Sequence, residues 1–221
     1  METREIKKYL QEIPLFQGLD AIILEQLCKA VKIKQFSAMD ILFYEKEDKE
    51  EIYYITSGSL KFYKVDRFEN EIFLYKLSKN SLIFSASKLC DNFIISCYAN
   101  AEFLEDSEVL IFDSQTFKQL MRTQPSFMHT ILKEAFGMIQ RLQCIISRDV
   151  VFDGTAKVAH MLIHELDNFN AMKKHEIAYM LHIQPETLSR ILKKLTRNAI
   201  INTIENNIVI LDELSLREIY E

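Results

Sequence analysis

The sequence predicts an α+β chain in three consecutive parts: an N-terminal antiparallel β-barrel or jelly roll, a long helix, and a C-terminal winged helix-turn-helix. Three observations predict it. Short runs of β-branched and aromatic residues recur between Val31 and Asp113. Apolar residues from Met128 to Ile145 follow an alternating three-and-four spacing. Two short helical patterns flank a tight turn within residues 173–195. The 221 residues suit one large domain or two modest ones, and 48% hydrophobic residues can fill a core. The expected boundaries are 1–124, 125–152 and 153–221.

The first ~30 residues read as helical, with Thr3 able to cap a first short helix that Pro14 interrupts. Asp20 can cap a second helix running to about Ala30, with Ile23, Leu24, Leu27 and Val31 on one face. The pattern then changes. Residues Ile52–Ile55, Leu60–Tyr63, Ile72–Tyr75 and Val109–Phe112 are strand-like runs separated by polar turns. Short strands at roughly ten-residue spacing point to an antiparallel barrel or jelly roll. Gly58, between two such runs, suits a tight turn.

After Asp113 the period becomes helical. Ser114–Thr123 reads as one bounded helix, and Pro125 suits the first turn of a long helix reaching about Arg148. Met128, Ile131, Ala135, Met138, Leu142 and Ile145 form a heptad seam on it. Leu132, Phe136, Ile139 and Ile146 give it a second apolar stripe. Two apolar faces call for two partners. The chain's own barrel can take one and the same helix of a second subunit the other. The seam from Met128 to Ile145 is expected to form the homodimer interface. The alternative is that both stripes pack within one chain. Asp153-Gly154 marks a break and a hinge, Thr155–Leu166 another amphipathic helix, and Asn168–Met172 a polar loop.

Residues 173–195 carry the functional signal. His175–Leu181 forms a first helix with Ile177, Ala178 and Leu181 facing inward. His182-Ile183-Gln184 makes the turn, and Pro185 begins a second helix with Leu188, Ile191, Leu192 and Leu195 as its apolar positions. This is the pattern of a helix-turn-helix, whose second helix enters the DNA major groove. Glu186, Ser189 and Arg190 are exposed at its start. Arg190 has the planar fork that grips guanine O6 and N7, Glu186 can accept from cytosine N4, and Ser189 can bond flexibly. Lys174, His175, Gln184, Thr187, Lys193 and Lys194 are placed for phosphates, which fix position rather than sequence. Residues 173–197 hold six Lys/Arg and two acids, net +4, which leaves −9 for the rest of a chain whose total is −5. A local basic patch on an acidic protein fits double-stranded DNA as a partner.

Other classes are disfavoured. No apolar run approaches the ~20 residues of a membrane helix, and the charged N-terminus lacks a signal-peptide stretch. A cytoplasmic location and no membrane partner are expected. The four cysteines are scattered, without a disulfide framework or zinc spacing. No Gly-rich phosphate loop, metal-ligand spacing or nucleophile–base arrangement indicates an enzyme. A rival without DNA would be a ligand-sensing module whose helical tail docks proteins. The basic segment argues against it.

Residues Pro185–Leu195, PETLSRILKKL, resemble the recognition helix of the Crp/Fnr family of bacterial transcription regulators. Ile13–Phe16 with Gly18-Leu19 resembles the family's opening, and Ile41–Glu45 and Tyr53–Gly58 resemble its barrel strands. The resemblance spans nearly the whole chain. It implies a cyclic-nucleotide-binding-like barrel, a wing at 200–203 and 208–211, RNA polymerase as a partner if the chain is an activator, and half-sites containing TTGA. His182 departs from it, standing where the family has Gly. A left-handed backbone there would strain His but tolerate it, and the imidazole could instead meet a phosphate.

The family's sensor chemistries can be held against this sequence. Cyclic-nucleotide binders hold the ribose with Gly-Glu and the phosphate with Arg-Ser or Arg-Thr. Phe84-Ser85 and Cys97-Tyr98 stand near those places, and no Lys or Arg lies between Asp91 and Gln115. A buried phosphate without a cation is costly, so cAMP is disfavoured. An iron–sulfur cluster is disfavoured too, because only Cys28 lies early in the chain. A branch of the family that responds to nitric oxide, thought to use haem, resembles this chain in lacking both sets of residues. Haem is therefore a candidate cofactor, with His129 on the long helix, Cys90, Cys97 and Met128 as candidate ligands. A thiol switch between Cys90 and Cys97 is a separate candidate. Leu82–Phe84 and Phe93–Ile95 could line a pocket for another apolar ligand.

Overall fold

A computed structural model describes residues 3–83 and 97–220. Phe84, Cys90 and residues 93–95 lie outside them. The chain divides into two compact units, Met1–Met138 and Ile139–Glu221.

In the first unit, α1 (Thr3–Glu12) leads through a 3-10 turn at Pro14–Phe16 to α2 (Ala21–Ala30). Asp20 occupies the N-cap of α2, but its side chain makes no capping bond. Eight strands follow among the described residues: β1 (Val31–Phe36), β2 (Ile41–Phe43), β3 (Glu51–Ser57), β4 (Ser59–Val65), β5 (Glu71–Ser78), β6 (Ser81–Ile83), β7 (Asn100–Phe103) and β8 (Ser107–Asp113). They pair antiparallel as two sheets, ordered β1-β8-β3-β6 and β2-β7-β4-β5. The strand-like runs of the sequence fall on β3, β4, β5 and β8.

Aromatic residues join the sheets. Phe43 of β2 meets Tyr53 of β3 with ring centroids 6.2 Å apart, and Phe36 stacks on Phe103 at 4.4 Å. Gly58 turns the chain from β3 into β4 with φ +86°, and a Cβ there would sit 2.0 Å from Ser107 Oγ. Both facts demand glycine.

A second apolar layer lies between the first sheet and the helices. It contains Leu10, Phe16, Ile23, Leu27, Tyr54 and Phe112 with Phe117 of α3 (Ser114–Thr123). Asp113 caps α3, its carboxylate accepting from the Thr116 N–H at 2.8 Å. Glu108 of β8 gathers the hydroxyls of Tyr9 and Thr56 and the amide of Gln35, fastening α1 to the sheet.

Helix α4 (Pro125–Val151) runs unbroken across the division between the units. Phe127 and Ile131 belong to the sensor core, Ile131 being 3% exposed. At Ile131 this corrects the expected interface. Ile131 faces its own chain, and Met128, Ala135, Met138, Leu142 and Ile145 are half-buried. The open face carries the other stripe: Leu132, Phe136, Ile139 and Ile146, with Phe136 63% exposed.

The second unit contains α5 (Gly154–His164), α6 (Leu166–Ala171), α7 (Lys174–Met180), α8 (Pro185–Arg197), the hairpin β9 (Ile201–Ile204) and β10 (Asn207–Ile210), and α9 (Glu213–Arg217). Asp153 ends the preceding segment and caps α5, accepting from the N–H groups of Thr155 and Ala156 at 2.8 and 2.9 Å. The stretch expected as a loop at Asn168–Met172 is largely helical: α6 buries Phe169, and its Asn170 bonds both backbone groups of Ile208 in the hairpin.

Candidate nucleic-acid interface

The core of the second unit fixes the angle between α7 and α8. Ile177, Ala178 and Leu181 meet Leu188, Ile191, Leu192 and Leu195, all buried. At Ala178, 1% exposed, the methyl group lets the helices cross closely. The Glu176 carboxylate accepts the backbone N–H of Lys173 at 2.8 Å, closing the start of α7. Pro185 occupies the first turn of α8, where its missing N–H costs nothing. Between the helices, His182 has φ 54°, the left-handed conformation expected of that position. Its imidazole lies against Asp149 rather than standing free for a phosphate, Nε2 to Oδ2 being 3.9 Å.

Burial of four apolar residues on one side of α8 leaves the opposite side to solvent. There Pro185, Glu186, Ser189, Arg190, Lys193, Lys194 and Arg197 line one shallow concavity. The three residues expected to meet base edges therefore share a face with the two α8 lysines. Arg197, which the sequence shows only as part of a charge count, joins them. A second groove runs between α8 and the hairpin, and Lys174, Ser189, Lys193, Thr196, Arg197, Thr203 and Asn206 contribute to its walls. Lys174 is thus brought beside α8 from the start of α7. His175 and Gln184 are exposed but line neither concavity. Thr187 is half-buried, its methyl turned towards the start of α5 near Gly154.

The candidate sensor residues fare differently. His129 is exposed on α4. It lies two residues from both Phe127 and Ile131, about 200° around the helix from either. It is therefore turned away from its own barrel. Cys97 is buried, and burial with help from Glu47 pushes its thiol up to about 11. A thiol kept protonated is a poor nucleophile and a poor ligand. Tyr98, near the place of a phosphate-holding arginine, spends its hydroxyl on that of Tyr75. Among the described residues, neither His129 nor Cys97 fits a haem iron inside the barrel.

Two family models match in succession: the cyclic nucleotide-binding domain over residues 33–124 and the Crp-like helix-turn-helix domain over residues 156–219. The chain belongs to the Crp/Fnr family. It is a DNA-binding transcription regulator of the Crp/Fnr type. Solved Crp/Fnr-type structures share its fold. A regulator of this family from Eubacterium rectale is 18% identical with a TM-score of 0.71, over 94% of this chain and 97% of that one. A CooA variant from Carboxydothermus hydrogenoformans is 18% identical with a TM-score of 0.72, over 96% and 95%. FixK2 from Bradyrhizobium japonicum is 16% identical with a TM-score of 0.68, over 86% and 98%. At these identities the likeness is one of fold. No curated protein matches the chain.

Proposed function

We propose that this Crp/Fnr regulator acts as a homodimer that reads a TTGA-type palindrome with Glu186, Ser189 and Arg190. The observation that carries the reading is the single exposed face of α8, where these three stand beside Lys193, Lys194 and Arg197. Arg190 supplies a bidentate donor pair, Glu186 an acceptor and Ser189 either, so base readout and phosphate grip lie along one helix. Lys174, His175, Gln184 and Thr187 complete the phosphate set. Support for the dimer comes from the exposed stripe Leu132, Phe136, Ile139 and Ile146, best covered by its own copy on a second subunit. Two recognition helices one DNA turn apart, about 34 Å, then match a palindrome. Domain limits at 1–124, 125–152 and 153–221 follow the functional parts. Activation is a shift in dimer-helix packing that reorients the recognition helices about Asp153-Gly154.

Binding to a TTGA palindrome and to a scrambled duplex, across a salt series, tests the core of this reading. A preference of 1000-fold order for the palindrome is expected, together with a steep salt slope. Equal binding to both duplexes would refute it.

The signal proposed is nitrosative or redox stress. Its support is chemical: no Lys or Arg lies between Asp91 and Gln115 to hold a cyclic nucleotide's phosphate, and the cysteines are not clustered for iron–sulfur. The states of His129 and Cys97 turn the search for a receiver elsewhere in the barrel. An anaerobic haem titration followed by nitric oxide, read by visible absorption and by DNA affinity, decides it. Stoichiometric uptake with a change in DNA affinity supports the reading. Nonstoichiometric uptake with unchanged affinity removes haem and moves the search to thiols and apolar ligands.

A further inference from the structure

The turn of the helix-turn-helix is tied to the end of α4 by one carboxylate. Asp149 sits on the last turns of α4 and belongs, like the turn, to the second unit. Its Oδ2 lies 3.9 Å from His182 Nε2. Its Oδ1 lies 3.8 Å from Lys157 Nζ on α5 and 3.3 Å from the neighbouring Arg148 Nε. Lys157 is 8% exposed, and a buried ammonium requires a counter-charge. One side chain thus joins three elements: α4, α5 and the turn. His182 also keeps a left-handed backbone that glycine would adopt without strain, so its imidazole is retained at a cost.

We propose that Asp149 is a positioning residue for DNA recognition, shared between Lys157 and His182, and that it holds the start of α8 in the frame of α4. The inference rests on α8 being the DNA-reading helix. Pro185 and Glu186 follow His182 by three and four residues, so a displaced turn displaces the base-reading side chains with it. The tie is proton-dependent. The charged groups facing His182 are Asp149 and Arg148 from α4 and Lys157 from α5. Burial first, then the two cations, hold the imidazole below its ordinary range, against the pull of Asp149. The fold thus favours the neutral ring: acidification sets a charged imidazole in a partly buried place against Lys157 and Arg148 and loosens the tie.

The test uses the full chain, a labelled TTGA palindrome and a scrambled duplex at pH 7.5 and 5.5, at constant ionic strength. H182G removes the imidazole while keeping φ 54° accessible, so the turn still folds. Wild type should lose at least threefold more affinity for the palindrome between pH 7.5 and 5.5 than H182G does. D149N should weaken binding at least threefold at both pH values, and D149E should recover part of it. A purely structural role for the turn would not give H182G a changed pH profile. If wild type and H182G show the same pH ratio within twofold, or the opposite order, the inference is overturned, and this holds even where D149N fails to fold. A wild type that does not discriminate the palindrome fails the DNA reading itself. A wild type that discriminates, with unaltered variants, fails this inference alone.

Discussion

At the scale of single residues, the chemistry of α8 separates into reading and gripping. Arg190 stands exposed with a forked donor pair, so Arg190→Ala should cost about 1–3 kcal/mol on the preferred operator and relax preference at one base pair. Competition binding against single-position operator variants checks it. Lys193→Ala should weaken every duplex alike and lower the magnitude of the salt slope by about one. At Gly58 the prediction concerns stability. A methyl there meets the Ser107 hydroxyl, which already donates to the Glu105 carbonyl at 2.7 Å, on a backbone with φ +86°. Gly58→Ala should destabilise the first unit by about 3 kcal/mol, measured by urea unfolding, because clash and left-handed strain add. The recognition residues were legible in sequence, since they stand on one helix at fixed offsets. Arg197, Thr203 and Asn206 were not. Thr203 and Asn206 share a groove with Ser189, Lys193 and Arg197 because the hairpin packs beside α8 through Ile201 and Ile208 and Asn170 clips it there.

At the scale of elements, α4 separates what periodicity can and cannot settle. The sequence shows two apolar stripes, and both are real. Spacing says that residues share a face, but not whether that face looks inward. Phe127 and Ile131 settle it by entering the sensor core. Ile131→Ala should therefore cost about 2–5 kcal/mol of first-unit stability and leave association unchanged. Phe136→Glu should do the reverse, weakening the dimer by about 2 kcal/mol or more while the fold persists. Sedimentation and thermal melts on both variants tell the stripes apart. Prolines at 14, 125 and 185 and the caps at Asp113 and Asp153 marked their helix starts in the sequence. The short helix α6 escaped because LDNFNA offers one buried residue, Phe169, too few for a period to appear. The five-residue α9, buried at Leu216, escaped for the same reason.

At the scale of the whole molecule, the two units should meet pH from opposite sides. In the first, burial raises Cys97 to about 11 and also raises Tyr9. Groups raised on folding contribute stability that is complete below their unfolded values and is lost as pH climbs past them. The first unit should therefore weaken from about pH 9 upwards. In the second, burial lowers His160, with His164 adding to the effect, and burial lowers His182. Their contribution is present above about pH 6.5 and is lost as pH falls towards the depressed values. Hydrogen exchange resolved by segment, at pH 5.5, 7.5 and 9.5, should show the helix-turn-helix loosening first in acid and the barrel first in alkali. The same order of loss in both directions would contradict this assignment.

The placement of Phe127 and Ile131 bears on how such a chain can be inherited. The segment before Pro125 looks like a natural seam between modules. Yet a barrel severed at Gln124 would leave behind two side chains that fill its own interior. Recombination between relatives that exchanges sensors while keeping DNA targets would have to cut further on, within the helix itself. There a join must preserve helical phase as well as reading frame, because each residue gained or lost turns everything downstream by about 100°. Viable hybrids should therefore cluster at crossover points that leave the number of helical residues unchanged.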